Sequence, residues 1–365
     1  MRFLLPFLCL FALSPALAQE VTPPEAPPAD NAEVAPPTDE QRFEAWLSTY
    51  RAGALARGLK AEWLDATLTG LTLSPRVIEL DRAQPDDSNS RSVFANYRAR
   101  QINDNRINGG RNRAADRSQL LISLENRYGV PGSMLVAIWG AESSYGAVTG
   151  GFDLPRALAT LAFEGRRAAL FTGELDAAVR MVGEGHIARE AFRGSWAGAT
   201  GQPQFLPSSY LAWAADGDGD GRADIWGNEA DTLASIARYF AGHGWRRGQG
   251  WGVAVSVPPA LERWRVRNLV APTQCVRPMS RHSRWISVKE WRALGVTPVG
   301  APLPPDDTLM TLVEPDGPGT DAWLTTGNYR VIMEYNCSNF YALVAGILSD
   351  AIAAPEAALA PAPAP

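Results

Sequence analysis

The spacing of apolar residues limits most what this chain can fold into. Phe43, Trp46, Leu47 and Tyr50 recur at intervals of three and four, and so do Leu59, Trp63, Leu64 and Leu68. Leu120, Leu121, Leu124 and Tyr128 continue the pattern until Gly129 and Pro131 end it. Ser133 is expected to cap the next helix, whose apolar face carries Leu135, Val136, Ile138 and Trp139. Further amphipathic stretches cover 157–163, 166–182, 208–215 and 231–240, and a last strong helix covers 339–352. Only 253–257 and 329–334 read as short strands. The spacing therefore predicts a mostly α protein with a small β-containing segment toward its C-terminal end.

The two ends of the chain cannot join that core. Residues 19–39 and 354–365 are rich in Pro and Ala, so both are expected to be extended and disordered, the first as a tether. The folded body is then 40–353. Residues 1–18 read as a cleaved export signal: Arg2 precedes an apolar run over 3–13, and Ala16 and Ala18 form a small-residue cleavage site. That run is shorter than the ~20 residues a spanning helix needs. Leu8 before Cys9 is not the small residue a lipid-attachment site requires. A formal net charge of −5 offers no long-range field for nucleic acid or an anionic membrane. Once the leader is removed, Cys275 and Cys337 remain, either as a disulfide or as two buried thiols. A bridge would close a loop of about sixty residues and stabilise by roughly 3–4 kcal/mol.

Two segments carry candidate chemistry. In Ala137-Ile-Trp-Gly-Ala-Glu142-Ser-Ser-Tyr-Gly146 one carboxylate ends an apolar helix, with Ile138 and Trp139 one turn away. Apolar surroundings disfavour ionisation, which keeps a carboxyl protonated and able to act as a general acid near neutral pH. By itself, Glu142 also reads as an ordinary helix-surface acid. The second segment runs from Gly194 to Tyr210, and its small residues and amides suit a loop laid against a sugar, or a plain connecting turn.

Together these segments resemble the lytic transglycosylases of the murein transglycosylase B family. The likeness extends from about Phe43 to about Leu348. It is carried by Gly140-Ala-Glu142-Ser-Ser-Tyr-Gly146, Ala157-Leu-Ala-Thr-Leu161, Arg166-Arg167, the 194–210 segment, Tyr239-Phe-Ala-Gly-His-Gly-Trp245, and Tyr335-Asn336 with Tyr341. The resemblance implies a lysozyme-like helical catalytic domain (core about 115–250) with additional helical regions, acting in the periplasm on peptidoglycan glycan strands. It implies a single catalytic glutamate, matched by Glu142, that yields a 1,6-anhydromuramyl end without water or a second carboxylate. It also implies substrate contacts from Ser195, Gln204, Tyr239, Tyr335, Asn336, Tyr341, Arg166 and Arg167. A monomer with no cofactor for the chemistry is expected.

Asp216-Gly-Asp218-Gly-Asp220-Gly221-Arg222 reads as the opening of an EF-hand calcium loop. Carboxylates at alternate positions converge on a cation, and the Arg222 carbonyl takes the next ligand position. The twelfth position is Gly227 rather than glutamate, so Asp231 is the candidate that closes a longer loop. A structural Ca2+ is one reading, and a solvated Asp/Gly turn is the other. A hydrolytic muramidase would instead need a second carboxylate, for which Asp153 and Glu164 are candidates, or a positioned water. A non-catalytic peptidoglycan-binding protein would keep the tyrosines and Gln204 and have no use for Glu142. His186, His243 and His282 are too scattered for a zinc site or a base–nucleophile pair.

Overall fold

A computed structural model describes residues 36–84 and 93–354. The expected leader, most of the tether and the tail from 355 lie outside the described residues. Everything below belongs to the compact unit that starts at Asp39. The first helix begins there too, at the last residue assigned to the tether, with Asp39 and Glu40 in a first turn that favours acids.

Three helices come first: α1 (Asp39–Ala56), α2 (Ala61–Leu68) and α3 (Pro75–Arg82). After them come α4 (Phe94–Gln101), α5 (Asp104–Asp116), α6 (Ser118–Tyr128) and α7 (Gly132–Ser143). A two-residue strand β1 (Phe152–Asp153) leads into α8 (Leu154–Glu164) and α9 (Ala168–Gly183). Strand β2 (Arg193–Gly194) pairs with β1, and α10 (Pro207–Trp213) and α11 (Glu229–Gly242) follow.

The core is organised around α7. Met134 through Trp139 are all essentially inaccessible, and a helix apolar on every side has to be enclosed. Its enclosure is formed by α15 (Asn339–Ala353), the last helix, together with α5, α6 and α11. Ser133 does not cap this helix. Pro131 precedes the first turn without a side-chain cap, and the Ser133 hydroxyl instead meets that of Ser349 on α15 at 3.0 Å.

Beyond α11 the chain forms β3 (Gly252–Ser256), α12 (Val276–Met279), β4 (Ile286–Ser287), α13 (Val288–Ala293), β5 (Thr297–Pro298), β6 (Leu309–Val313) and β7 (Ala322–Thr325). The five strands make one antiparallel sheet in the order β4-β6-β7-β3-β5. The expected strand over 253–257 is therefore present as β3. Alternation along β6 and β7 gives the sheet two buried faces. Met310, Leu312, Ala322 and Leu324 join a small separate core with Trp291, while Val313 and Trp323 join the main helical core.

The expected strand over 329–334 is absent. Those residues belong to α14 (Gly327–Tyr335). The Thr326 hydroxyl caps it by accepting from the Asn328 amide at 3.1 Å. Tyr329, Ile332 and Met333 bury their side chains in the main core, where α14 lies against α15. Packing has overridden the strand preference of Val331 and Ile332.

Cys275 and Cys337 form a disulfide with Cα atoms 5.6 Å apart, across 62 residues of sequence. It fastens the long segment after β3 to the turn between α14 and α15. Urea denaturation with and without reductant should show a loss of roughly 3–4 kcal/mol on reduction, whereas identical curves would mean that the bridge contributes nothing.

Candidate active site

Glu142 is the penultimate residue of α7, and the chain after it turns away abruptly. Ser144, Tyr145 and Gly146 have φ of 50°, 62° and 85°, three successive residues in the left-handed region. Two of them are not glycine, so each costs free energy that the surroundings must offset. The Tyr145 hydroxyl donates to the Arg106 carbonyl at 2.6 Å, its ring stands edge-on to Trp139 at 5.5 Å, and Arg113 lies over it at 4.6 Å. Gly140 makes this possible, because a Cβ there would sit 2.5 Å from the Tyr145 ring. The Ser143 hydroxyl accepts from the Gly146 amide at 2.9 Å and locks the turn. The turn therefore ends α7 one residue after Glu142.

That carboxyl meets the N-terminal end of α15. The Tyr341 hydroxyl donates to Glu142 Oε1 at 2.6 Å, and Ser338 caps the helix that presents it by accepting from the Tyr341 amide. Burial raises the Glu142 pKa to about 7, against the opposing effect of the Tyr341 hydrogen bond. The residue as a whole keeps some exposure, although protein surrounds its carboxyl closely. Tyr335 and Tyr97 also sense this carboxyl: burial raises both phenols, and the Glu142 charge adds to the effect. Tyr97 on α4 is an addition that sequence reading missed, because α4 carries no motif.

The 194–210 segment is a set of tight turns that leads into α10. Ser195 accepts from the Ala199 amide through its hydroxyl, so its side chain shapes the turn. Gln204 has φ of 52°, and its amide nitrogen donates to the Gly201 carbonyl at 2.8 Å and the Thr149 carbonyl at 3.1 Å. Gln202, which the sequence did not single out, links this loop to α7. Its Oε1 accepts from Trp139 Nε1 at 2.8 Å, and its nitrogen donates to the Trp226 carbonyl. Tyr335 donates to the Pro203 carbonyl at 2.5 Å and stands edge-on to Tyr239 at 4.9 Å. Tyr239 stacks on His243 at 4.0 Å and donates to the Glu334 carbonyl. Asn336 is the exposed residue ending α14.

The structure thus gathers Glu142, Tyr341, Tyr335 and Tyr239 and ties the loop bearing Gln204 to them. It places Arg166 and Arg167 against α3. Both lie in the turn before α9 rather than on a helix face, because Gly165 ends α8 in the left-handed region. Arg166 grips the buried Asp81 through two nitrogens at 2.6 and 3.0 Å, and Arg167 reaches the same carboxyl at 3.2 Å. Asp153 and Glu164, the candidate second carboxylates, are both held by arginines. Asp153 binds Arg189 at 2.9 and 3.0 Å, and Glu164 binds Arg82 at 2.7 Å.

In the Asp-rich loop, single oxygens of Asp216, Asp218 and Asp231 lie within 4.8 Å of one another. Asp231 is fully buried at the start of α11 and accepts from the Gly217 and Asp224 amides. Burial raises its pKa, and the Asp218 and Asp216 charges add to this. Such a convergence of hard oxygen donors fits a cation of the calcium type. Asp220 is outside this cluster and accepts from the Arg222 amide. Asp224, the fourth acid of the same run, holds the turn by accepting from the Trp226 and Gly227 amides.

The chain is similar to known proteins over most of its length. The Transglycosylase SLT domain family matches residues 42–350. Membrane-bound lytic murein transglycosylase B of Escherichia coli is 34% identical over 228 residues, which cover 62% of this chain and 58% of that protein. Less than two thirds of that relative's length is therefore spanned. SltB3 of Pseudomonas aeruginosa, solved in complex with NAG-anhNAM-pentapeptide, is 36% identical with a TM-score of 0.76, over 85% of this chain and 79% of that one. Slt35 of Escherichia coli, solved in complex with calcium, is 28% identical with a TM-score of 0.68, over 86% and 93% of the two chains.

A carboxyl whose folded pKa exceeds its unfolded value favours folding at low pH, and that contribution is lost as pH rises through the folded value. For Glu142 the window runs from 4.5 to about 7. Glu142→Gln removes the cost of burying the charge. It should match the wild type in chemical denaturation at pH 4.5 and be more stable at pH 8. The shift bounds the gain at about 3 kcal/mol. Equal stability at both pH values would place the carboxyl in an aqueous environment.

Proposed function

The chain belongs to the Transglycosylase SLT domain family, and from that premise we propose that it cleaves peptidoglycan by lytic transglycosylation, with Glu142 as acid and then base. The observation that carries this reading is a single buried carboxyl with its pKa near 7 and one hydroxyl donor. In the proposed reaction, protonated Glu142 gives its proton to the oxygen joining N-acetylmuramic acid to N-acetylglucosamine as the bond from C1 breaks. The Tyr341 hydrogen bond stabilises the carboxylate left behind. That carboxylate then takes the proton of the muramyl C6 hydroxyl, whose oxygen bonds to C1 and closes the 1,6-anhydro ring. No water enters and the proton is returned, so one carboxyl suffices. The nucleophile belongs to the sugar itself, which gives it a very high effective concentration.

Engagement of Asp153 by Arg189 and of Glu164 by Arg82 supports this reading over hydrolysis that uses either as a second carboxylate. The product-like NAG-anhNAM-pentapeptide bound to the Pseudomonas SltB3 also supports it. In this reading the faces of Tyr239 and Tyr335, the amide of Gln204, and Ser195 and Asn336 line the glycan. Arg166 and Arg167 retain exposed edges while holding Asp81, and these edges serve stem-peptide carboxylates. The site of action is the periplasm, reached through residues 1–18.

Digestion of purified peptidoglycan followed by mass spectrometry decides the chemistry. The wild type should release anhydromuropeptides, and Glu142→Gln should release none while remaining folded. Reducing ends in place of anhydro ends would establish hydrolysis.

The Asp216, Asp218 and Asp231 carboxylates, extended by Asp220 and the Arg222 carbonyl, are proposed to hold a structural Ca2+, as the Escherichia coli Slt35 was solved with calcium. Bound there, the ion would neutralise the acids and fasten the loop to α11, with no part in glycoside chemistry. Chelation should lower the melting temperature by several degrees, and added Ca2+ should restore it more effectively than Mg2+. A melting temperature indifferent to both would leave the loop a solvated turn.

A further inference from the structure

From Arg263 to Trp285 the chain contains no acid and six arginines: Arg263, Arg265, Arg267, Arg277, Arg281 and Arg284. Glu314 occupies Arg263 through a two-point ion pair. Arg265, Arg267, Arg281 and Arg284 make no ion pair among the described residues and are exposed. The same stretch leaves large apolar side chains in solvent. Leu269 is 78% exposed, Val270 75%, Trp264 66%, Val276 56% and Trp285 41%.

These residues share one region of the surface. Arg267 pairs with Ser283 in an antiparallel bridge, and the Arg284 amide bonds to the Val266 carbonyl, which brings the two ends of the stretch together. Arg267 and Arg281 line a hollow of about 610 Å3, whose two acids are already engaged, Glu314 by Arg263 and Asp316 by the Phe94 amide. Val270 and Trp285 line another of about 420 Å3, and Asn268 borders both. The Cys275–Cys337 bridge fixes the middle of the segment to the body, so the loop holds its apolar side chains outward at little further cost in chain entropy.

We propose that this face docks the protein onto an anionic phospholipid surface. Guanidinium groups match phosphate oxygens in two-point geometry, and exposed Trp, Leu and Val insert at the boundary between headgroups and acyl chains. Basic residues alone would suit any polyanion, but the adjacent apolar tip at Leu269 and Val270 favours a lipid surface over a carboxylate-bearing glycan. The formal net charge of −5 is a sum that conceals this face. The expectation that the chain lacks a field for an anionic membrane holds for the whole molecule and fails locally.

The test is co-sedimentation of the protein, processed past residue 18, with vesicles. Binding to vesicles containing phosphatidylglycerol should exceed binding to neutral phosphatidylcholine by at least about tenfold and fall as salt rises. The variant Arg265→Glu/Arg267→Glu/Arg281→Glu should lose this selectivity at an unchanged melting temperature, with cleavage of soluble glycan fragments unaffected. Leu269→Ser/Val270→Ser should weaken binding while keeping the salt dependence. Wild-type-like binding by the charge-reversed protein, no preference for anionic lipid, or retention on an acidic polymer in place of vesicles would each overturn the proposal.

Discussion

Much of this structure depends on the enclosure of α7. A helix with no polar face cannot lie on a surface, so four other helices are drawn around it, and the last of these comes from the far end of the chain. The enclosure brings Tyr341 within 2.6 Å of Glu142, although the two are 199 residues apart in sequence. The same burial that stabilises the core raises the carboxyl to about 7. Core and acid therefore share one physical cause. The five-stranded sheet contributes from outside by packing Trp323 edge-on to Phe94 at the start of α4, the helix that also carries Tyr97.

The end of α7 shows how local strain is accommodated. Ser144 and Tyr145 occupy left-handed backbone at a cost of about 1 kcal/mol or more each. The packing of Tyr145 against Trp139, Arg113 and the Arg106 carbonyl makes that conformation the best available one. Gln202 extends the same network into the facing loop through Trp139. A side chain with no direct claim on a sugar thereby fixes the spacing between the acid and the loop.

The sequence made legible those features that depend on near neighbours. Helical spacing located most helices, the valines of 253–257 located strand β3, and the Asp-rich loop pointed to Asp216, Asp218 and Asp231, whose carboxylates converge while Asp220 stays outside. Features decided by distant packing were misread or missed. Residues 329–334 have strand-like propensity, but Thr326 caps a helix there and burial against α15 settles the matter. Ser133 is a plausible cap by type, yet its hydroxyl is engaged by Ser349 on another helix. Arg166 and Arg167 looked like a helix face, whereas Gly165 delays α9 and the buried Asp81 holds both. Tyr97 and Gln202 carry no local signature, because their importance comes only from what lies opposite them.

A single carboxyl that both gives and recovers a proton faces a constraint that a carboxylate pair avoids. With two groups, environment can push one pKa up and leave the other low. With one, the same group must be protonated before bond cleavage and basic afterward, so its pKa has to lie near the working pH. The Tyr341 hydroxyl opposes burial by favouring the charged form, which in the proposed reaction stabilises the carboxylate left by proton transfer. The two opposing effects have different structural sources, the apolar enclosure of α7 and the capped first turn of α15. Residues on either helix can therefore tune the acid without touching the substrate.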